Sequence, residues 1–525
     1  PALAATAHDW STKSIYQLVT DRFAMSNDSF AMCDTSLRTY CGGSWAGITS
    51  HLDYIQNMGF DAIWISPIVE NVDGTAYGDG YHGYWSRDID TVSPRFGTPA
   101  DLKALSAALH KRGMYLMLDV VINHYAGVPT NTTVSLSGLI TFDFSELLPL
   151  GTAAAFHPQC FITDYANQTD VEQCWLGDAR LPLPDIDTED DTIVMTLTKW
   201  IKDTVAEYGI DGVRIDTVKH IRHDFWANFT ASAGVFTIGE VLSDNPTYVS
   251  SYLGPLNGVL NYPAWYQLIT AFASTSGNLS ALEASPALVP LASAPASHSS
   301  APFLTAAFLE NHDQPRFPSY TSDTALTKNA MVWPFVGDGL PILYYGQEQG
   351  YGGGADPANR EALWLSGYET NKPLVAHVTA LNVVRRLAIK ANASFLAGQV
   401  RPLDPPAEPK RDHALQAALL TLLTNIGANA TVQPTWHIPV GIYPPGTQLV
   451  DVLACAPLVM GPAVDGATAV LASSGLPQVL IPAHMLSRAG GACPALASSG
   501  RGRGRGRVAR AVVVLGTVLG VVALV

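Results

Sequence analysis

The stretch IDGVRIDTVKH, from Ile210 to His220, has the pattern of a buried strand that ends in charged residues. Its centre, Gly212–Asp216, is a short apolar run that contains one arginine and one carboxylate. Because a buried parallel strand is expected to be apolar throughout, Arg214 and Asp216 need a specific explanation. They form either a structural ion pair at a strand end or a carboxylate nucleophile kept ionised by a fixed guanidinium, since a nearby positive charge lowers a carboxyl pKa.

Similar apolar runs recur along the chain and alternate with helical patterns, which is typical of a parallel sheet built from βα units. Strands are predicted at Ser14–Thr20, Phe60–Ser66, Met114–Ile122, Gly212–Asp216, Phe236–Glu240, Gly258–Tyr262, Phe303–Glu310 and Pro341–Tyr345. Helices are predicted between them, for example at Pro99–Arg112 and Thr192–Tyr208. Strands and helices in this order predict an α/β fold of the closed (β/α)8 barrel type.

Two segments depart from this alternation and predict further domains. The connection between Asn123 and Asp187 is far longer than one helix requires, and long connections in compact domains are usually functional. We therefore expect an inserted domain at residues 124–187, over a barrel formed by residues 1–123 and 188–390. After that, prolines are frequent and apolar runs are short, which predicts a C-terminal antiparallel β-sandwich domain at residues 391–495.

The last segment, residues 496–525, combines small residues, an Arg-Gly spacer at Arg501–Arg510 and an apolar tail at Ala511–Val525. That order is typical of a glycolipid (GPI) anchor signal. A membrane-spanning helix would need about 20 apolar residues, which is more than the tail provides. Arg-Gly repeats also occur in RNA-binding segments, although not usually beside a terminal valine run. The sequence favours an anchor signal, with membrane contact through that anchor alone.

Charge and cysteines restrict the possible classes of protein. The net charge is −15 and charged residues are 14% of the chain, whereas a nucleic-acid binder would need a basic face. Six cysteines fall into three groups along the chain, which indicates disulfides and an oxidising compartment: Cys33 and Cys41, Cys160 and Cys174, Cys455 and Cys493. Pairing within each group is an assumption, since six cysteines allow 15 connectivities. Glycosylation sequons agree with secretion: Asn27, Asn131, Asn167, Asn228, Asn278, Asn392 and Asn429.

Acidic residues close several of the predicted strands. Asp216, Glu240 and Asp313 lie at or just beyond such ends, and the C-terminal ends of barrel strands meet at one mouth. Each carboxylate alone could be a structural cap or ion pair. Glycoside hydrolysis needs one carboxylate as nucleophile and one carboxylic acid as proton donor. His124 and His312 each follow an asparagine at a strand end, so they are candidates for the same site.

Several motifs together resemble the α-amylase family of glycoside hydrolases. The signature runs are DVVINH (Asp119–His124), GVRIDTVKH (Gly212–His220), IGEV (Ile238–Val241) and FLENHD (Phe308–Asp313). Supporting runs are GFDAIWISP (Gly59–Pro67), AYGDGYHGYW (Ala76–Trp85), LPDID (Leu183–Asp187) and GLPILYYGQEQ (Gly339–Gln349). The chain is most similar to secreted fungal members of the family, from about Ser14 to Gly367 and more loosely to Cys493.

The resemblance implies a retaining mechanism with a division of roles. Asp216 would be the nucleophile, Glu240 the general acid and then base, and Asp313 the group that holds sugar hydroxyls. Arg214 would keep Asp216 ionised, and the two reacting carboxyl groups would lie about 5–5.5 Å apart. The implied substrate-binding residues are Tyr84, His82, Trp85, His124, Arg214, Lys219, His220, His312, Asp356 and Arg360.

The resemblance also implies a structural calcium ion (Ca²⁺) between the inserted domain and the barrel. Asn123 and Asp178 would bind it through side-chain oxygens, and Glu172 and His220 through backbone carbonyls. Calcium takes oxygen ligands, so the His220 imidazole would not be one of them.

The favoured function is endo-acting hydrolysis of α-1,4-glucosidic bonds in starch or glycogen, as an α-amylase. The protein would be an extracellular monomer, tethered to the cell surface, whose partner is an α-glucan and not a nucleic acid. One alternative is an α-glucanotransferase that remodels cell-wall α-glucan. Another is a catalytically dead glycan-binding surface protein, which would usually lack Asp216, Glu240 or Asp313.

Overall fold

The structure is a computed structural model. The residues it describes are 5–27, 31–130, 140–282, 305–391, 395–396, 419–431, 435–439, 443, 445–460, 467–471, 475–486, 493, 511–517 and 520–524. The sequence also predicts a surface loop at Ala281–Ser300, which is rich in Ala, Ser and Pro, and most of it lies outside the described residues. The sequons at Asn131 and Asn392 and the spacer at Arg501–Arg510 lie outside them as well.

The first part of the chain forms a closed barrel of parallel strands. Its strands and the short strands beside them are β1 Ile15–Leu18, β2 Ala62–Ile65, β3 Val69–Asn71, β4 Ser86–Val92, β5 Tyr115–Val120, β6 Leu176–Asp178, β7 Leu181–Leu183, β8 Gly212–Ile215, β9 Phe236–Gly239, β10 Gly258–Leu260, β11 Thr305–Phe308 and β12 Leu340–Tyr344. The barrel order is β1-β12-β11-β10-β9-β8-β5-β2. This confirms the (β/α)8 prediction and every strand predicted for it.

The α-helices are α1 Ala7–Ser11, α2 Thr20–Phe23, α3 Trp45–Ser50, α4 Leu52–Asn57, α5 Pro99–Lys111, α6 Gln168–Gln173, α7 Asp191–Tyr208, α8 Phe225–Ala233, α9 Pro246–Ser250, α10 Tyr262–Phe272, α11 Thr324–Val336, α12 Pro373–Ala391 and α13 Ala483–Leu486. Short 3₁₀ helices occur at Thr35–Leu37, Phe144–Glu146, Ala153–Ala155, Val218–His220, Leu279–Leu282, Phe317–Ser319 and Leu363–Ser366. Within the described residues, no helix combines the length and the hydropathy needed to cross a membrane.

Local sequence explains where the longer barrel helices begin and end. Helix α5 starts with a capping box, in which Thr98 and Asp101 satisfy each other's backbone N–H groups. Helix α7 begins after Asp190, whose side chain accepts from Thr192, and it ends at Gly209 with a left-handed backbone (φ 62°). Both helices therefore match the predicted ranges to within a residue or two.

The inserted domain lies between β5 and α7 and contains α6, β6 and β7. The Cys160–Cys174 disulfide closes the segment that contains α6. The backbone of Asn123, just after β5, accepts from Ile186 N (2.9 Å), so the two ends of the insertion are joined at the barrel rim.

The C-terminal region is a separate β structure. Its strands are β13 Leu419–Thr424, β14 Thr435–Pro439, β15 Gln448–Asp451, β16 Ala456–Val459, β17 Ala467–Leu471, β18 Gln478–Pro482, β19 Ala511–Thr517 and β20 Gly520–Leu524. One sheet has the order β16-β15-β18-β13-β19-β20, and β14 pairs with β17. The sequence predicts that the tail from Ala511 is a removable anchor signal, whereas here its two strands extend the edge of this sheet.

Candidate active site

The strand ends of β8 and β9 bring two acidic residues to the barrel mouth. Asp216 N donates to Val120 O (2.9 Å) and Glu240 N donates to Ile215 O (2.8 Å), so the strand hydrogen bonding continues to both residues. The side chains of Asp216 and Glu240 are therefore set by the backbone of the barrel and not by a mobile loop. Active sites of this fold lie at this face.

Arg214 lies at the centre of the site and contacts three carboxylates. Its Nη1 is 2.8 Å from Asp216 Oδ1 and 2.8 Å from Asp119 Oδ1, and its Nη2 is 2.8 Å from Glu240 Oε2. The side chain is 1% exposed, and a buried guanidinium must be paired. The sequence left two alternatives for Arg214 and Asp216, a structural ion pair or a nucleophile beside a fixed guanidinium. Both describe the same cluster, because Arg214 pairs with all three carboxylates at once.

Asp119 is a site residue that the sequence reasoning missed. It lies on β5, where it is paired in register with Arg214 on β8. Its Oδ2 accepts hydrogen bonds from Tyr84 Oη (2.6 Å) and from Trp64 Nε1 (3.0 Å). The available signal was a carboxylate in the apolar run DVVINH, which is the same anomaly that singled out Arg214 and Asp216.

Burial and hydrogen bonding set the pKa values of the Asp216 and Glu240 carboxyl groups. Burial raises the pKa of Asp216 more than Arg214 lowers it, so its net shift is upward. The guanidinium of Arg214 lowers the Asp216 pKa, as the sequence predicts, but does not outweigh burial. Burial also raises the pKa of Glu240. Burial, together with a hydrogen bond to Asp216, favours the acid form of Glu240.

Asp313 lies in the loop after β11 and joins the same cluster. Its Oδ2 is 3.2 Å from His312 Nε2, and its Oδ1 is 3.5 Å from Arg360 Nη2. Asn311 Oδ1 accepts from Asp313 N (3.0 Å) and holds the turn. Burial, followed by the charge of Glu240, raises the pKa of Asp313 to about 6.

Aromatic and imidazole rings form one wall of the site. The ring of Tyr84 stacks with two imidazoles: its centroid is 4.9 Å from that of His312 and 5.7 Å from that of His82. Gln17 Nε2 lies 2.7 Å from His312 Nδ1, and His124 Nε2 lies 3.2 Å from Tyr84 O. Burial lowers the pKa of His124 to about 4, and those of His82 and His312 are also lowered by burial. These imidazoles are therefore neutral near pH 7.

The remaining predicted substrate residues border this cluster. Lys219 Nζ donates to Leu242 O (3.0 Å), and burial lowers the Lys219 pKa. Arg360 Nη1 is 2.9 Å from Asp356 Oδ1. Trp85 packs edge-on against His82, with centroids 4.5 Å apart.

Candidate cation ligands lie where the inserted domain meets the barrel. Among the described residues, Asn123 Oδ1 and Asp185 Oδ1 are buried oxygens without a hydrogen-bond donor. The two side chains are within hydrogen-bond reach of each other, and each residue is 1% exposed. Nearby, His220 Nδ1 is 3.2 Å from Val171 O, which brings the His220 turn against the helix that carries Glu172. Oxygen atoms without donors suit Ca²⁺.

Asp178 is not part of this group, which corrects its predicted pairing with Asn123. Its Oδ2 contacts Tyr77 and Arg180, and its Oδ1 accepts from Arg180 N (2.8 Å) and Leu181 N (3.3 Å). The side chain is 46% exposed. The sequence reasoning missed Asp185 as a ligand, although its run LPDID is one of the motifs that carry the family resemblance.

A histidine orients Asp185. His157 Nδ1 is 2.6 Å from Asp185 Oδ2, and its Nε2 is 2.8 Å from Glu189 Oε2 and 3.5 Å from Asp187 Oδ1. The ligand atoms of His157, Asp187 and Glu189 are close enough to hold a metal ion themselves. Because His157 already bonds these acids, we interpret the group as support for Asp185, whose second oxygen faces Asn123.

The predicted disulfides are all formed. They join Cys33 to Cys41, Cys160 to Cys174 and Cys455 to Cys493, with Cα–Cα distances of 5.5, 4.8 and 5.5 Å.

Comparison with known proteins gives consistent matches over most of the chain. The family described as "Alpha amylase, catalytic domain" matches residues 17–372, and "Alpha-amylase, domain C" matches residues 410–500. "Alpha-amylase 1" of Schwanniomyces occidentalis is 42% identical over 494 residues, which is 93% of this chain and 93% of the relative. "Alpha-amylase 1" of Lipomyces kononenkoae is 49% identical over 396 residues, which is 75% of this chain and 61% of that longer relative.

A solved structure agrees with these matches. The chain superposes on an α-amylase from Malbranchea cinnamomea with a TM-score of 0.83 and 41% identity, covering 93% of this chain and 99% of the other.

Proposed function

Because this chain belongs to the α-amylase family of glycoside hydrolases, we propose that it hydrolyses internal α-1,4-glucosidic bonds of starch- or glycogen-type glucans with retention of configuration. The observation that carries this proposal is the single buried guanidinium of Arg214, which contacts both Asp216 and Glu240 at the barrel mouth. That arrangement fixes a nucleophile beside a proton donor, as retaining hydrolysis requires.

In the first step, Asp216 attacks the anomeric carbon of the bound glucose unit. The glycosidic C–O bond breaks as Glu240 gives its proton to the leaving oxygen, and a covalent glucosyl-enzyme forms. The raised pKa of Glu240 keeps this proton available, since burial and the bond to Asp216 favour its acid form. Arg214 stabilises the carboxylate of Asp216 before attack and that of Glu240 after proton transfer.

In the second step, Glu240 acts as a base. It takes a proton from a water molecule, whose oxygen attacks the anomeric carbon and releases Asp216 as a carboxylate. The product has the same anomeric configuration as the substrate, because two displacements each invert it.

The surrounding residues position the sugar. The Tyr84 ring offers a stacking face, and its hydroxyl is held by Asp119 (2.6 Å). Neutral His312 accepts at Nδ1 from Gln17 and can offer its Nε2–H to sugar hydroxyls, and Asp313 can accept hydrogen bonds from those hydroxyls. The Nε2–H of His124 points instead at Tyr84 O and so helps to place Tyr84. Strong hydrogen bonds that Asp313 accepts from sugar hydroxyls would favour ring distortion towards the transition state. His82 and Trp85 complete this wall, and Lys219 borders the leaving-group side.

We propose a structural Ca²⁺ at the joint between the inserted domain and the barrel. Asn123 Oδ1 and Asp185 Oδ1 are its side-chain ligands in this proposal, with backbone carbonyls of Glu172 and His220. Bound there, the ion would crosslink the two domains. Asp185 replaces the predicted Asp178 because its buried oxygen has no donor among the described residues, whereas both oxygens of Asp178 have partners.

We also propose that the protein is extracellular and monomeric. The formed disulfides support an oxidising compartment. Sequon side chains at Asn167, Asn228 and Asn278 are exposed and open to glycosylation. The C-terminal glycolipid anchor stays a prediction from sequence pattern, which release of the protein from cells by a phosphatidylinositol-specific phospholipase would test.

The named relatives favour hydrolysis over the α-glucanotransferase alternative. The dead glycan-binding alternative is disfavoured because Asp216, Glu240 and Asp313 are all present and clustered.

Product analysis on soluble starch and on maltooligosaccharides tests the proposal. We expect new reducing ends together with rapid loss of iodine staining, and no product longer than the oligosaccharide supplied. Elongated oligosaccharides with little new reducing sugar would instead identify a transferase. Glycan binding without either product would identify a binding protein. A purified D216N variant, assayed alongside, shows whether any activity belongs to this site.

A further inference from the structure

Arg38 lies in a short loop that the Cys33–Cys41 disulfide closes, and its backbone is in the left-handed region (φ 52°). This conformation is unfavourable for a residue with a Cβ, so surrounding contacts must hold it. Arg38 O accepts from Asp79 N (2.8 Å), which supplies one such contact.

The base of this loop is anchored to buried charge. Arg22 Nη2 donates to Thr39 O (2.7 Å), and Arg22 pairs with Asp21 (2.8 Å). Asp21 in turn accepts from the backbone N–H of Cys41 (2.8 Å). The loop is thus a rigid platform, and the direction of the Arg38 side chain is set by it.

The Arg38 guanidinium reaches a residue more than 300 positions away. Its Nη1 donates to Asp356 Oδ2 (2.7 Å) and its Nη2 to Asp356 O (3.2 Å). A planar guanidinium can satisfy two acceptors of one residue at once, which a lysine cannot. The Asp356 carboxylate is therefore held in both position and orientation.

Asp356 and its neighbours then lead to the reacting centre. Arg360 Nη1 is 2.9 Å from Asp356 Oδ1, and Arg360 Nη2 is 3.5 Å from Asp313 Oδ1. Arg360 Nε also donates to His312 O (2.9 Å). Charges alternate from Arg38 through Asp356 and Arg360 to Asp313, so each group limits the movement of the next.

We propose that Arg38 is a positioning residue for substrate specificity, which acts by holding Asp356 for the glucose unit next to the reacting one. This inference rests on the proposed hydrolysis of α-glucans. Without Arg38, Asp356 turns towards Arg360 and solvent, and the sugar beside it loses a fixed acceptor. Binding of that unit then contributes less to choosing which bond of an oligosaccharide is cut.

The experiment compares Arg38→Ala, Arg38→Lys, Asp356→Ala and the Arg38→Ala/Asp356→Ala double variant on end-labelled maltohexaose. Arg112→Ala is the matched control. Arg112 Nη2 makes an equally short ion pair with Asp53 Oδ1 (2.7 Å), away from the series of charges that runs from Arg38 to Asp313. Each variant is measured for KM, kcat, the distribution of cleaved bonds and thermal unfolding.

We expect Arg38→Ala to raise KM about fivefold with little change in kcat, since the ion pair is partly solvent-exposed. The pattern of cleaved bonds shifts in the same direction as in Asp356→Ala. Arg38→Lys lies between wild type and Arg38→Ala, and Arg112→Ala matches wild type in KM, kcat and cleavage pattern. The double variant is no worse than Asp356→Ala, because Arg38 acts through Asp356.

A double variant clearly worse than Asp356→Ala would overturn the inference, as it would mean that Arg38 contacts substrate directly. An Arg38→Ala protein with lowered unfolding temperature but an unchanged cleavage pattern would show a structural brace only, and would also overturn it. A wild-type protein inactive on starch and maltohexaose would remove the proposed function and this inference together. Wild-type hydrolysis with an unchanged Arg38→Ala pattern removes this inference alone.

Discussion

Two groups of buried oxygens in this molecule differ in how their charge is balanced. At the barrel mouth, Asp216, Glu240 and Asp119 all contact Arg214 at 2.8 Å. At the joint with the inserted domain, Asn123 Oδ1 and Asp185 Oδ1 have no donor among the described residues.

The difference indicates what each group is built to bind. The mouth carries its own cation, Arg214, which stabilises the carboxylate of Asp216 while Glu240 supplies the proton in the proposed reaction. Within the part of the chain that the structure describes, no cationic side chain contacts those two oxygens, and unpaired buried oxygens are costly unless a cation or donor binds them. The first group suits catalysis by protein residues, and the second suits a bound metal ion.

The largest expected effect comes from replacing the acidic residues at the barrel mouth. D216N and E240Q each remove a reacting group and should lower kcat by about 10⁴-fold or more. Rates of starch hydrolysis and circular dichroism of both variants check this. D53N, which changes an exposed aspartate on α4, serves as the control and should keep wild-type rates. Substantial activity of the D216N variant would show that Asp216 is not the nucleophile.

Removal of calcium by a chelator should destabilise the joint between the inserted domain and the barrel, and not the group of carboxylates at the barrel mouth. At free calcium about 1,000 times its dissociation constant, the ion contributes about 4 kcal/mol, which for a chain of 525 residues corresponds to a fall of about 4 °C in Tm on adding EGTA. D185N should abolish this response, and D178N should retain it. Calorimetry with and without EGTA measures the difference. A lost response in D178N and a retained one in D185N would restore the original ligand assignment.

The pH dependence of activity should report the proton of Glu240. The folded pKa of Glu240 is raised, chiefly by burial, and the acid form is needed for the first step. Activity is therefore kept up to a pH above the ordinary glutamate pKa of 4.5 and falls about tenfold per pH unit beyond the raised value. Profiles of kcat/KM on maltohexaose measure this limb. A limb at or below the ordinary pKa would contradict the assignment of Glu240 as acid.

The smallest effect is on stability at the mouth. The folded protein holds the Asp313 proton more tightly than the unfolded chain, so stability falls as pH rises from 3.8 to about 6. D313N removes this penalty and should stabilise the protein by about 1 kcal/mol at pH 7, a value reduced for solvent screening because the side chain is 36% exposed. The gain should vanish below pH 4. Denaturant unfolding of both proteins at pH 4 and pH 7 tests this, and an equal gain at both would refute it.

Much of the fold could be predicted from the chain because its signals are local. Apolar runs with intervening helices, capping residues such as Thr98 and Asp190, and a terminal glycine at Gly209 are set by neighbours in sequence. The same reasoning predicted Asp216, Glu240 and Asp313, since residues after parallel strands meet at one edge.

Other features needed the folded molecule because they depend on distant partners or on burial. Asp119 became a site residue only once β5 paired with β8. Asp185 differs from Asp178 by its burial and by one oxygen, Oδ1, that has no donor among the described residues. Arg38 and Asp356 are far apart in the chain, so no spacing predicts their contact.

The sequence by itself therefore determined the barrel and the acidic residue types at its strand ends, since these follow from periodicity and residue type. The pairing of the cysteines was assumed from the sequence and is established by the structure. The tertiary structure decided the net rise of the Asp216 pKa, the cation ligands and the Arg38 contact. The physical reason is that removal from water and long-range pairing arise only when separate segments pack together.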